Sequence, residues 1–357
     1  MYQYSDEKDY PFQNPNVKIA VGRVTALWAF SEAALGGILH ALKIPFTGLF
    51  IGGAAVVFIS LIAYLSNNHR AILKSTLIVI VVKAIVSPYT PVNAYFAVAL
   101  QGVIGFLLFF NNNNYKLKAI FLGLITSILS GFQKIIILTI VFGNTLWDSI
   151  DLFADYIISL IGFMHFSDDS LSLSAILITS YILLHFAGGI TFGIFAAKVP
   201  GWLVKKSNDE NYLNKISLKK DYELKSKKRV KRVWWKRKSG IAIFAFSFGM
   251  IILTYLIPDL DENLILKIVI MLLRSIFVMI FWTFIISPFI LKYFNKFVKK
   301  RRSEYSEEID GIIFLFPYFK ARLKTIMREA KEYSGLEKIK YIFSNSFYSL
   351  LTGDIKN

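Results

Sequence analysis

The sequence predicts an all-α, polytopic membrane helix bundle of about eight transmembrane helices. It reads as a six-helix bundle, a two-helix module and an amphipathic tail. Three observations predict this class. The first is composition: 55% of the 357 residues are hydrophobic and only 18% are charged, where soluble domains carry about 25% charged residues. Mean hydropathy is +0.52. A soluble chain of this kind would expose far too much apolar surface, whereas in a bilayer the lipid is the solvent. The second is a series of apolar runs of spanning length. The third is the segregation of basic residues to alternate loops.

A helix needs roughly 20 apolar residues to cross about 30 Å of hydrocarbon. Eight runs qualify: Lys18–Leu42, Thr47–Leu65, Ala71–Val86, Val92–Phe110, Leu117–Phe142, Ala175–Val204, Gly240–Ile257 and Ile265–Leu291. Arg70, Lys74, Lys116, Lys118, Lys205, Lys206 and Lys299 to Arg302 all fall on one side of such a topology. The opposite side holds the uncharged Ser87–Pro91 loop, the acidic loop Asn144–Leu173 and the acidic turn Pro258–Asn263. Only Lys43 and Lys267 run against the pattern. The positive-inside rule then places both termini in the cytoplasm, which fits a prokaryotic plasma membrane. The acidic N-terminal stretch, with Asp6, Glu7 and Asp9, lacks the basic start of a cleaved signal peptide.

Four segments follow. Residues 1–204 form the six-helix bundle, 205–239 a basic linker, 240–294 the two-helix module and 295–357 the tail. The linker carries 14 Lys and Arg against four acids. Its end, with Lys231, Arg232, Trp234, Trp235 and Lys236, mixes cations with aromatics. That suits an anionic leaflet better than nucleic acid. In the tail, Ile309, Ile312, Ile313 and Phe316, then Leu323, Ile326 and Met327, then Leu336, Ile339, Ile342, Phe343 and Phe347 recur at helical spacing. Such helices lie on a membrane surface, pack on a partner, or pack on each other.

Ionisable and amide groups inside apolar spans are costly and face a cavity or a partner. Glu32, Tyr95, Gln101, Gln133, Lys134 and His185 are therefore the candidate ligand contacts. Glu32 needs a cation, and a lysine of the third or fifth span, Lys83 or Lys134, is the obvious one. Such a pair serves equally as a bundle-holding ion pair or as a ligand contact. Lys83 also lies near enough to a helix end to snorkel. His185, beside Gly188-Gly189, suits a hydrogen bond to a neighbouring helix. His40 reads as interfacial.

No cysteine is present, and the four histidines are scattered, so no metal-ligating or thiol chemistry is expected. No cofactor is implied. There is no nucleophile elbow and no phosphate-cradling P-loop, so any pumping draws on a partner or an ion gradient. The chain does not read as an enzyme. Glu32 with His185 is the only pair that could serve one.

Ala29 and Ala33, four residues apart and extended by Gly37, form a small-residue ridge. Here the 18–204 region resembles the substrate-binding S components of energy-coupling factor (ECF) transporters. The resemblance rests on Ala29-x-x-x-Ala33, on the stretch Ala34–Gly48 leading into a small-residue second span, and on the Pro-rich loop leading into Asn93–Gly102. It implies capture of a small, vitamin-like solute from outside. It also implies docking of Ala29 and Ala33 on a transmembrane coupling subunit, and delivery driven by partner P-loop ATPases. The metal-transporting branch carries a histidine next to the initiator methionine; Tyr2 stands there instead. The linker, the last two spans and the tail depart from the family, although Ala321-Arg322 and Arg328-Glu329-Ala330 are similar to coupling-subunit cytoplasmic helices. The alternative is a scaffold or regulatory protein, without a transported ligand, that acts through linker and tail.

Overall fold

A computed structural model describes residues 15–35, 46–88, 90–111, 113–161, 172–207 and 264–352. These residues form helices and connecting turns, with no strand among them. In chain order they are α1 (Pro15–Phe30), continued by a π turn at Ser31–Leu35, α2 (Thr47–Ser66), α3 (His69–Val86), α4 (Val92–Leu108), α5 (Tyr115–Phe142), α6 (Thr145–Ile161) and α7 (Leu173–Ser207). Then follow α8 (Leu264–Phe281), a π turn at Trp282–Ile286, α9 (Ser287–Glu304), α10 (Ser306–Glu329), a 3-10 turn at Ala330–Glu332 and α11 (Gly335–Thr352). The seventh expected span, Gly240–Ile257, and the linker cluster Lys231, Arg232, Trp234, Trp235 and Lys236 lie outside the described residues. So do His40 and Lys43.

Four helical stretches are long and apolar enough to cross a bilayer: Thr47–Ser66, Tyr115–Phe142, Leu173–Lys206 and Val269–Glu304. Val92–Leu108 is apolar but shorter. The first and third expected spans form helices but fall short of this measure. α1 has only 16 residues before its π turn, and α3 carries Arg70, Lys74 and Lys83. Among the described residues, four of the eight expected spans are therefore helices of spanning length and composition. α2 sits centrally, with 61% of its apolar window buried, whereas the windows in α5, α7 and α8–α9 are 17%, 17% and 11% buried. Their exposed faces, including Phe121, Ile136, Leu183 and Leu272, are those a lipid phase would cover.

In the acidic loop expected over Asn144–Leu173, Thr145–Ile161 is helix. α5 ends at Gly143, whose left-handed φ of 75° lets its N–H reach the Thr139 carbonyl at 2.8 Å. The chain then turns into α6. Asp148 and Asp151 lie on the polar side of an amphipathic helix, which is why their density reads as loop. Asp151 accepts bonds of 2.7 Å from both the backbone N–H and the hydroxyl of Ser174, satisfying a free donor at the start of α7.

The chain divides into two compact units. One comprises Met1–Ser127, Phe186–Leu224 and Phe297–Asn357; the other comprises Ile128–His185 and Lys225–Lys296. The boundary crosses α5 and α7 rather than following the 1–204 bundle read from sequence. In the first unit, α1 packs on α2 and α3, and α3 packs on α4. Close approach of α5 and α7 depends on glycine. A Cβ at Gly193 would lie 2.6 Å from the Ile120 Cα, and one at Gly189 2.7 Å from the Gly123 carbonyl oxygen.

The tail is not a separate appendage. α10 and α11 pack on each other, both pack on α1, and α10 also packs on α3. Thr25 of α1 pairs with Ser75 of α3, the adjacent Lys74 of α3 bonds Glu308 at 2.8 Å, and further along both α1 and α10 Phe30 meets Phe316 and Phe319 edge-on at 5.2 and 5.6 Å. α10 therefore runs in the same direction as α1 and reaches the turn before Glu32. α11 returns with Phe347 stacked on Phe58 at 6.2 Å, and the Arg23 guanidinium donates to the Leu351 carbonyl at 3.3 Å. α10 continues through Pro317 without interruption.

Candidate ligand-binding site

The charged centre of the first unit is built by α1, α3 and α4. Thr25 and Ser75 share a buried hydrogen bond of 2.8 Å that sets α1 against α3. Two turns further along, α1 widens into its π turn, where the Ser31 hydroxyl bonds the Trp28 carbonyl at 2.9 Å. π turns are rare and concentrate at functional sites. This one presents Glu32 to α3. There the Lys83 ammonium donates to Glu32 Oε2 at 2.7 Å, with the two residues 4% and 5% exposed. Lys83 does not snorkel; of the two candidate partners for Glu32, the third-span lysine is the one engaged. The Tyr95 ring, at the start of α4, lies over the ammonium at 5.9 Å. Its hydroxyl donates to the Ser87 carbonyl at 3.3 Å, and Thr90 donates to the same carbonyl at 2.8 Å. The Pro-rich loop thus fixes Tyr95 over the pair.

Gln101, also on α4, lies on a different contact. It is 8% exposed, and a Cβ at Gly52 of α2 would lie 3.1 Å from its Nε2. Its Oε1 is enclosed without a hydrogen bond. Its burial at the α2–α4 contact follows from Gly52, one of the small residues that mark the second span.

The remaining candidates belong to the second unit. His185 is 1% exposed and tilts against Tyr181 at 4.7 Å between ring centroids. It fits where α5 carries Gly131, at which a Cβ would lie 3.1 Å from the imidazole. His185 is thus seated on a neighbouring helix. Gln133 is half-buried and Lys134 is exposed, so the amide and lysine that interrupt the fifth span do not form an enclosed pair. No group of three or more metal-ligating side chains occurs among the described residues.

Ala29 and Ala33, the expected docking ridge, are 0% and 8% exposed. On a helical wheel Ala26, Ala29 and Ala33 fall between Thr25 and Glu32, which face α3, and Phe30, which faces α10. This chain's own helices cover the ridge, so it is not an open surface for a separate subunit.

Arg274 escaped the sequence reading, and Arg322 entered it only within the resemblance to coupling-subunit helices, not as a candidate site residue. Arg274 lies within the apolar α8, and a Cβ at Gly143 would lie 3.1 Å from its guanidinium carbon. Arg322 is 6% exposed on α10. Arg274 carried a legible signal, a cation inside a span. Arg322 did not, because its helix reads as a surface helix.

No family model, curated protein or solved structure matches the chain.

Proposed function

We propose that this chain is a membrane transport component that binds a small solute at the Glu32–Lys83–Tyr95 cluster. The observation that carries the reading is the enclosed ion pair on a π turn. Enclosing two charges costs several kcal/mol per ion, on the order of what their attraction returns. A structural pair is therefore replaceable by apolar side chains, whereas a pair that meets a solute is not. The cluster offers an anion, a cation and an aromatic face within one contact. It fits a small polar solute, vitamin-like in size, that carries at least one charged group. Both charges are enclosed, so the solute enters by parting α1 from α3 and α4. Energy comes from outside this sequence, which carries no P-loop; a partner ATPase with its coupling subunit is the arrangement that the ECF resemblance implies. Such a subunit meets the chain elsewhere than on Ala29 and Ala33, or after α10 has moved aside.

The test is native mass spectrometry of the full chain for a co-purifying small molecule, repeated on Glu32→Gln and Lys83→Met. A solute held by the parent and lost from both variants supports the reading. The same solute retained by both removes the pair from the site. A parent that carries no solute, with a cytoplasmic protein bound through residues 205–239, would favour the scaffold alternative.

A further inference from the structure

The face of α10 that packs on the bundle is made of Ile309, Ile312, Phe319, Ile326 and Ala330, all 5% exposed or less. Arg322 interrupts this face. Phe319 precedes it by one turn and Ile326 follows by one turn, so a cation occupies a position where the pattern calls for an apolar residue. Its Nε is fully enclosed and donates to nothing. No hydrogen bond or ion pair to Arg322 occurs among the described residues, whereas the carboxylates of this unit that lie in packed surroundings are engaged elsewhere. Glu32 holds Lys83, Glu308 holds Lys74 and Glu329 accepts from Tyr341. A buried guanidinium without an anion carries an uncompensated desolvation penalty of several kcal/mol. Arg322 keeps 6% of its surface exposed, and only its Nε is fully sealed, so the terminal nitrogens are the part of the guanidinium that an anion would meet.

The surroundings identify that anion. On the outer side of α10, Lys320, Lys324 and Arg328 recur every fourth residue and are exposed, with Lys331 following; they form a basic stripe of the kind drawn to acidic lipid. At the same end of the hairpin Met327, Leu336, Ile339 and Phe343 are 53%, 84%, 64% and 54% exposed. A soluble ligand has no use for that apolar surface, whereas acyl chains cover it. Arginine is the side chain best matched to phosphate oxygens, which it takes two at a time.

We propose that Arg322 is the phosphate-binding residue of an anionic phospholipid site between α10 and the bundle. The lipid supplies the missing counter-charge from outside the chain, and its tails lie over the exposed apolar face. This site is independent of the Glu32–Lys83 cluster. It makes docking of the α10–α11 hairpin depend on acidic lipid.

The experiment uses the full chain in detergent, titrated with phosphatidylglycerol, phosphatidylcholine or inorganic phosphate, with bound molecules counted by native mass spectrometry. The parent should retain one phosphatidylglycerol in preference to phosphatidylcholine. Arg322→Gln should weaken that molecule by about tenfold or more, the loss expected for a charge-assisted contact; Arg322→Lys should recover part of it. Unchanged phosphatidylglycerol binding in Arg322→Gln would overturn the proposal. Arg322-dependent inorganic phosphate that displaces phosphatidylglycerol at equal affinity would overturn the lipid assignment. Should Arg322→Gln fail to fold, the parent alone still decides, because equal retention of the two lipids overturns the site.

Discussion

Replacing Lys83 by Met removes one member of the enclosed pair and leaves the Glu32 carboxylate with no cation. Both groups are nearly sealed, with side chains 7% and 3% exposed, so water cannot re-solvate the survivor. The loss should be about 3–5 kcal/mol of stability, the range for breaking a buried pair on one side. Glu32→Gln should cost less, because the amide keeps an acceptor for the Lys83 ammonium while the ammonium loses its counter-charge. The double variant Glu32→Met with Lys83→Met removes both charges at similar side-chain length, and it should recover most of the loss. With Glu32→Met as the other single variant, the cycle is therefore strongly non-additive, with a coupling of about 3 kcal/mol or more, at or above the top of the range for contacting residues. Unfolding in mixed micelles, followed by tryptophan fluorescence, measures all four corners. Trp28 is fully buried one turn before Glu32, so the signal reports on this region. Additive losses in the double variant would refute the pair as an energetic unit. The same variants separate stability from function: if the cluster binds solute, the double variant folds well and binds nothing.

The other expectations concern packing and the tail. Gly193→Ala should destabilise by about 1–3 kcal/mol, because the added carbon meets the α5 backbone at 2.6 Å. Gly201→Ala, with nothing within 4 Å, should be neutral or stabilising by up to about 1 kcal/mol; equal effects at the two positions would refute the close α5–α7 contact. For Glu308, burial alone would raise the carboxyl, but the Lys74 hydrogen bond and charge, with Lys18 behind them, hold it below the ordinary carboxylate value. A carboxyl depressed by folding contributes stability that is complete above its unfolded value, about 4.3, and is lost as pH falls through the lower folded value. The protection factors of the 306–320 amides, taken relative to the intrinsic exchange rate at each pH, should therefore fall in acid, and Glu308→Gln should show less acid dependence. Both side chains are about one-third exposed, 35% and 34%, so the effect stays below about 1 kcal/mol and shrinks with salt. Because the sequence has no cysteine, Phe30→Cys with Phe316→Cys gives a clean probe of tail docking. A short bifunctional thiol reagent should join them within one chain, and failure to do so would refute the packing of α10 on α1.

The apolar runs made the long helices legible, because length and hydropathy are local properties that no tertiary contact overrides. The Glu32–lysine pair was legible as a need but not as a choice. An unpaired carboxylate inside a span requires a cation, yet only the register of α1 against α3, set by Thr25–Ser75, selects Lys83 over Lys134. α6 was missed because Asp148 and Asp151 raise the polarity of one face of an amphipathic helix. A loop and a half-polar helix differ only in spacing there, and the acidic count masked that spacing.

The tail shows where a sequence pattern stops being informative. Ile309, Ile312, Phe316 and Ile326 make an apolar stripe whose spacing is the same whether the stripe meets a bilayer, a partner or its own bundle. What distinguishes the outcomes is the complementary surface, and that surface belongs to residues more than 200 positions away: Phe30, Phe58 and Lys74. Arg322 is the residue on which the reading turns. On a free surface helix an arginine at the edge of the stripe is unremarkable, since it extends into water and costs nothing. Once α10 docks, the same side chain is 6% exposed with its Nε sealed and unbonded, and the docked state is disfavoured until an anion arrives. Docking and anion binding are therefore linked in both directions. An anion that binds only the docked form stabilises it by an amount that rises with the logarithm of its concentration, and a tail held off the bundle must bind that anion less tightly. Hairpin protection in hydrogen exchange should accordingly increase with phosphatidylglycerol in the parent and stay flat in Arg322→Gln. A rise of equal size in both would place the lipid effect elsewhere on the chain.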